Sequence, residues 1–294
     1  DIIDYRKGGR PRLSIICAYL ECMKLSGSAP LKRLLSLAFG ASRAPAGAFR
    51  ISIALFYGVV CHSVFIAAVL AMIVAMFFGM SKSLGTIPQP WSIIVNIFLI
   101  LQFPIAHSLL LSKRGTFVLA KLAPAVFAPT LATTTYAIIA SAQLLMLFAL
   151  WTPSGIIWWQ AEGSVLIAVS FLYLVSWLLL MWASYDAGAE VQSGALGWMS
   201  LAQNIKPVFP DMPTQGLFSI IRQPIYVAFA LTTWTVPVWT PDQLCLAIVL
   251  TAYCLFAPRF KERRFSQRYG SRFEKYRREV PYALPRRSRS KGSR

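Results

Sequence analysis

Residues 51–78 run without a single Asp, Glu, Lys or Arg. That is longer than the stretch of about 20 apolar residues that crosses a bilayer as a helix. In lipid, every backbone N–H and C=O must find its partner within the chain, so such a run folds as a helix. Three more apolar runs follow, at about Trp91–Leu111, Thr133–Trp151 and Val165–Ala183. A shorter pair, Ile225–Trp239 and Leu244–Pro258, is joined by a few residues around Pro241 and Asp242. The pattern predicts an all-α polytopic membrane protein with about six spans, the last two forming a helical hairpin. Composition agrees: of 294 residues, 56% are hydrophobic and only 14% charged.

The net charge of +18 is uneven, because residues 51–258 hold six Lys/Arg against five Asp/Glu. Lys and Arg flanking apolar spans orient them and attract anionic headgroups, so the expected partner is membrane lipid and not nucleic acid. Six spans place both termini on one side, with Lys113, Arg114, Lys121, Lys206 and Arg222. The other side receives only Lys82, Glu162 and Asp242. This asymmetry predicts cytoplasmic termini, with Trp158, Trp159 and Trp239 at the opposite interface. Three regions follow: a basic leader at 1–50, a membrane unit at 51–285, and a disordered Arg/Ser-rich end at 286–294. The leader reads either as a surface amphipathic helix around Leu31–Phe39 or as a disordered start. The five cysteines include no C-x-x-C pair, so neither a disulfide framework nor a metal site is expected. Phosphate loops, dinucleotide fingerprints and serine-hydrolase elbows do not occur either.

The hairpin carries the strongest functional signal. Arg222 lies 20 residues before Asp242 and Glu262 lies 20 residues after it. The returning helix therefore brings Glu262 back to the height of Arg222. Arg222-Gln223-Pro224-Ile225-Tyr226 and Lys261-Glu262-Arg263-Arg264 become adjoining walls. By position alone the charges read either as helix-end anchors or as a ligand site, since ionisable groups at the membrane are costly. Beyond them, Phe260, Phe265, Tyr269, Phe273 and Tyr276 recur at helical spacing with Arg and Lys between. That stripe fits a basic helix lying on the membrane, a lid over the hairpin site, or both. Gly270 marks a bend within it.

The stretch 216–285 resembles the C-terminal half of the integral-membrane methyltransferases: isoprenylcysteine carboxyl methyltransferase, phospholipid methyltransferases and bacterial methanethiol S-methyltransferase. Those proteins carry an R-H-P-x-Y motif, then E-E-R, then G-x-x-[YF]-x-x-Y-x-x-x-V-P. The matching residues are Arg222, Pro224 and Tyr226, then Glu262 and Arg263, then Gly270, Phe273, Tyr276, Val280 and Pro281. Upstream, Ala106-His107-Ser108, the Thr135–Ser141 stretch and Trp151-Thr152-Pro153 are similar to the methanethiol methyltransferase and NnrU-like branch. The resemblance implies a bacterial inner-membrane enzyme that moves a methyl group from S-adenosylmethionine to a small or lipophilic acceptor at the cytoplasmic face. It implies a cofactor pocket built on Arg222, Gln223, Pro224, Tyr226 and Glu262, with Arg263 and Tyr276 behind them. Glu262 is the candidate for placing the acceptor or taking its proton.

Three positions depart from the pattern. Gln223 replaces the motif histidine, Lys261 the first glutamate, and Ala228 a small glycine. Gln223 keeps a donor and an acceptor but takes no proton at neutral pH. These departures keep open a non-catalytic membrane scaffold of the same fold. The NnrU-like branch includes a haem-containing isomerase, which adds a third reading. The only two histidines, His62 and His107, differ in depth by roughly 9 Å at 1.5 Å per residue, a poor geometry for two ligands of one iron. His107 is expected to bond with its neighbour Ser108, and His62 within the bundle.

Overall fold

The computed structural model describes residues 30–285. The outer parts of the leader and of the C-terminal end (1–29 and 286–294) lie outside the described residues. Five helices are long and apolar enough to span a bilayer: α2 (Ala48–Phe77), α3 (Trp91–Leu110), α5 (Ala128–Leu150), α6 (Gly163–Asp186) and α10 (Pro241–Tyr269). Shorter helices are α1 (Pro30–Ser42), α4 (Lys113–Lys121), α7 (Ala189–Gln192), α8 (Ala195–Gln203), α9 (Pro224–Trp234) and α11 (Ser271–Glu279). The chain is an all-α polytopic membrane protein. Its spans present large exposed apolar side chains, such as Ile167, Phe171, Leu178 and Met181 on α6, as a lipid-facing surface needs.

The expected sixth span is a short helix with an extended continuation. At 11 residues, α9 covers about 16 Å, half the hydrocarbon thickness. The reason is local. Pro237 disfavours helix at the residue before it. Thr232 and Thr233 turn their hydroxyls back onto the carbonyls of Phe229 and Ala230, both at 2.7 Å. The extended chain then pairs as β2 (Val238–Trp239) with β1 (Trp159–Gln160), Trp159 facing Trp239. Val236 and Val238 are buried, so this non-helical backbone is shielded by protein.

Helix α10 starts cleanly. The Thr240 hydroxyl accepts from the Gln243 N–H at 3.0 Å and Pro241 occupies the first turn. Asp242 ties this end to the loop after α5. It accepts from Trp151 Nε1 at 3.0 Å, from the Ser154 N–H at 2.9 Å and from the Ser154 hydroxyl at 2.6 Å. The main core lies in this half of the bundle, around Met76, Leu99, Phe148, Trp177, Val236 and Leu250.

At the opposite, basic end, α8 presses against α5 and α2. Gly194 at its start has φ 76, and a Cβ there would lie 2.5 Å from that of Ala137. The Thr134 hydroxyl donates to the Gly194 carbonyl and accepts from the Trp198 N–H. The described part of the leader is docked on this end and does not simply lie at a surface. Arg33 is buried and its guanidinium pairs with the fully buried Glu190 at 2.9 Å, while also donating to the Val208 carbonyl.

Candidate functional site

The site forms where α9 starts and α10 passes beside it. Gln223 caps α9 and Pro224 occupies the first helical position, where its missing N–H costs nothing. Just before them, the Arg222 and Gln223 N–H groups donate to the carbonyls of Pro281 and Tyr282 at 2.9 and 3.1 Å. The segment after α11 is thereby laid across the start of α9 like an added strand.

Arg222 and Glu262 meet across the hairpin, although its first arm is only partly helical. Arg222 Nε donates to one Glu262 oxygen at 2.8 Å and Nη2 to the other at 3.3 Å, a two-pronged pair. The two side chains are only 10% and 14% exposed. Arg222 Nη1 donates to the carbonyls of Arg277 and Val280 at 2.9 and 2.5 Å. Gln223 Nε2 donates to Glu262 at 2.8 Å, while its buried Oε1 has no partner among the described residues. The Tyr282 ring lies 5.5 Å from the Arg222 guanidinium.

Above this cluster α10 ends at Tyr269, and Gly270, at φ 52, reverses the chain into α11. The aromatic stripe is thus broken into two helices that fold together. Phe265, Tyr269, Phe273 and Tyr276 pack with Met212 and Val280 as a small core of their own, whereas Phe260 stays exposed. The Tyr276 hydroxyl donates to the Phe218 carbonyl at 2.6 Å. Burial pushes that phenol up to about 12, so it stays a protonated donor. At the mouth, burial alone would raise the Asp211 carboxyl. The Met212 N–H and the Arg272 guanidinium, which contact it at 2.7 and 2.6 Å, outweigh burial and hold it below the usual range.

Beneath this tail is a small cavity of about 10 Å³, lined by Arg222, Gln223, Glu262 and Tyr276 together with Phe218, Lys261 and Phe265. An open groove of about 380 Å³ lies on the other side of Tyr276, bordered by Met212, Thr214, Arg272 and Val280.

Of the residues read from the sequence, Arg222, Gln223, Glu262 and Tyr276 line one cavity. Pro224 is buried beneath it as the helix start. Tyr226 sits one turn deeper, facing Tyr253 at 6.5 Å, with Lys261 Nζ 5.9 Å from its ring. Arg263 points away, over the exposed ring of Phe260. Phe218 and Pro213 complete the lining and were not anticipated. They come from the segment between α8 and α9, which has no helical or strand periodicity to flag it. The two histidines have separate partners. Trp198 Nε1 donates to His62 Nε2 at 3.1 Å, whereas His107 Nε2 lies 2.7 Å from the Tyr136 hydroxyl and does not use its neighbour Ser108.

Comparison with known proteins gives one consistent set of relatives. The chain is 31% identical over 198 residues to methanethiol S-methyltransferase 2 of Bradyrhizobium diazoefficiens, covering 66% of this chain and 74% of that protein. It is 26% identical over 219 residues to methanethiol S-methyltransferase of Pseudomonas deceptionensis, covering 73% and 82%. It is 27% identical over 240 residues to the protein of that name from Crocosphaera subtropica, covering 79% and 91%. No family model and no solved structure matches the chain.

Proposed function

The chain belongs to the methanethiol S-methyltransferase family of integral-membrane methyltransferases, and we propose that it transfers a methyl group from S-adenosylmethionine to a small thiol at the cytoplasmic membrane face. One observation carries this reading: Arg222, Glu262 and Gln223 converge at the floor of an aromatic-lined cavity, where the bundle meets its basic end. The groups suit the cofactor. When bound, S-adenosylmethionine supplies an electrophilic methyl on a sulfonium. Arg222 offers a carboxylate the Nη1 that its pair with Glu262 leaves over, once the tail carbonyls release it. Glu262 matches the positive end of the same amino acid moiety. The faces of Phe218, Phe265 and Phe273 favour a cation close by. Gln223 Oε1, buried and without a partner among the described residues, accepts an N–H.

The cavity is too small for such a ligand as the tail now lies. Tyr276 and the segment after it separate the cavity from the adjoining groove, and Arg222 Nη1 is held by tail carbonyls. The tail therefore acts as a lid. Moving α11 outward joins the two spaces and frees Nη1, and reclosing excludes water from the reacting groups.

The deciding experiment is calorimetric titration of S-adenosylmethionine into detergent-purified protein. Micromolar binding that weakens at least tenfold in Arg222→Ala is expected. Absence of binding at millimolar cofactor overturns the reading and leaves a non-catalytic scaffold, the alternative that Gln223 and Lys261 raise.

A further inference from the structure

The cavity wall carries more positive charge than it compensates. Lys261 lines the cavity beside Arg222 and Glu262. Its ammonium lies among the rings of Phe218, Tyr226 and Phe265, at 5.3, 5.9 and 5.5 Å from their centres. Among the described residues it makes no hydrogen bond and no ion pair. Glu262, the one carboxylate of the lining, is taken by Arg222 and Gln223. Arg264, whose guanidinium rests on the Leu111 carbonyl, acts on Lys261 only as a second like charge. An ammonium carries three donors and is strongly hydrated in water, and ring faces replace only part of that hydration. The lining thus sets two cations against one carboxylate, with the donors of Lys261 unused.

We propose that Lys261 selects the methyl acceptor, and that the acceptor is a short-chain thiol carrying a carboxylate of its own. The inference rests on the methyl-transfer reading above. S-adenosylmethionine brings a sulfonium, an ammonium and a carboxylate. Glu262 and the Nη1 of Arg222 answer the last two, which leaves the sulfonium and Lys261 as two cations in one water-poor site. A neutral thiol answers neither. A bare thiolate answers the sulfonium alone, and after transfer it is a neutral thioether with Lys261 again unpaired. A thiolate with a carboxylate answers both, and its carboxylate still faces Lys261 in the product. The step is complete in atoms and electrons. The thiol proton goes to water before the tail closes. The electron pair of the thiolate forms the new S–CH3 bond, and the old methyl–sulfur bond returns its pair to the departing sulfur as a neutral thioether.

The probes are β-mercaptopropionate and propanethiol, which are alike in length and in thiol acidity. With detergent-purified full chain and labelled S-adenosylmethionine, the wild type is expected to prefer β-mercaptopropionate by at least about tenfold in kcat/KM, with the difference in KM. Lys261→Met keeps the length and the apolar stem and is expected to erase that preference, and Lys261→Glu to reverse it. Equal use of both thiols by the wild type, a preference for propanethiol, or a preference that survives in Lys261→Met overturns the proposal. Calorimetry shows which molecule brings the carboxylate. Removing a cation near the sulfonium is expected to leave S-adenosylmethionine bound to Lys261→Met at least as tightly as to the wild type. Weaker cofactor binding in that variant puts the carboxylate of Lys261 on the cofactor and overturns the proposal. Wild-type protein that binds S-adenosylmethionine but does not methylate β-mercaptopropionate refutes this inference alone. Failure to bind the cofactor refutes the reading beneath it.

Discussion

The ion pair between Arg222 and Glu262 invites a double-mutant cycle, because its surroundings fix what each truncation leaves behind. Glu262→Ala strands a guanidinium that is 10% exposed, with two carbonyls as its remaining partners, and leaves the Gln223 amide without its acceptor. Breaking a buried pair from one side costs about 3–5 kcal/mol. The residual exposure and the two surviving carbonyl bonds place this case at the lower end, near about 3 kcal/mol, or roughly a hundredfold in the folded-to-unfolded ratio. Arg222→Ala leaves Glu262 with Gln223 as its one hydrogen-bond partner among the described residues and also removes the two bonds to the tail. The double variant no longer buries an unpaired charge. It should therefore be more stable than the two single losses add up to, with a coupling of about 2 kcal/mol. The assay is reversible unfolding in mixed micelles followed by tryptophan fluorescence, with limited proteolysis of the tail as a second readout. A coupling below about 0.5 kcal/mol, the value of an exposed pair, would refute the premise that the site is dry and preorganised.

Three other substitutions probe the frame that holds the site. At the far end of the bundle, Asp242→Ala removes the acceptor of three hydrogen bonds from Trp151 and Ser154 and should destabilise the fold by about 2–4 kcal/mol in the same assay, without altering cofactor affinity in protein that remains folded. Glu190→Ala leaves Arg33 buried without its carboxylate and should detach α1, read as new proteolytic cleavage between residues 30 and 47. Gly270→Ala meets open space but adopts φ 52 and ψ −127, so it should cost about 1–3 kcal/mol of backbone strain and raise the Kd for S-adenosylmethionine through a misdirected lid.

The apolar runs and their charge flanks made the helical membrane architecture legible, and the spacing around Asp242 made the pairing of Arg222 with Glu262 legible. The first follows from backbone satisfaction in lipid; the second was read from two helical arms of equal length, whereas α9 covers only Pro224–Trp234 and the rest of that arm is extended. The short α9 carried a signal in Pro237, but hydropathy outweighed it, because Val236, Val238 and Trp239 read as apolar whether helical or extended. Phe218 and Pro213 were not readable. Their placement depends on distant partners, such as Asp186, which accepts from the Leu217 N–H at 2.8 Å across 31 positions. The partner of His107 was misread for the same reason. Neighbours in sequence point apart on a helix, and Tyr136 is supplied by another one.

Two of the three departures from the family pattern, Gln223 and Lys261, look different once placed in space. Gln223 presents its amide N–H to Glu262 at 2.8 Å, the contact through which a histidine N–H would hold the same carboxylate. What is lost is a titratable proton, and methyl transfer to a thiol needs none from that position if the acceptor's proton leaves elsewhere. Lys261 reverses a charge in sequence, yet successive helical residues diverge by about 100°, so it need not oppose Arg222. Its ammonium lies among the rings of Phe218, Tyr226 and Phe265 at 5.3, 5.9 and 5.5 Å, a setting that tolerates a cation. Both substitutions thus leave the Arg222–Glu262 fork intact and change only its margins. A scaffold would keep the same nearly buried ion pair for stability, so cofactor binding, and not the pair itself, separates the two readings.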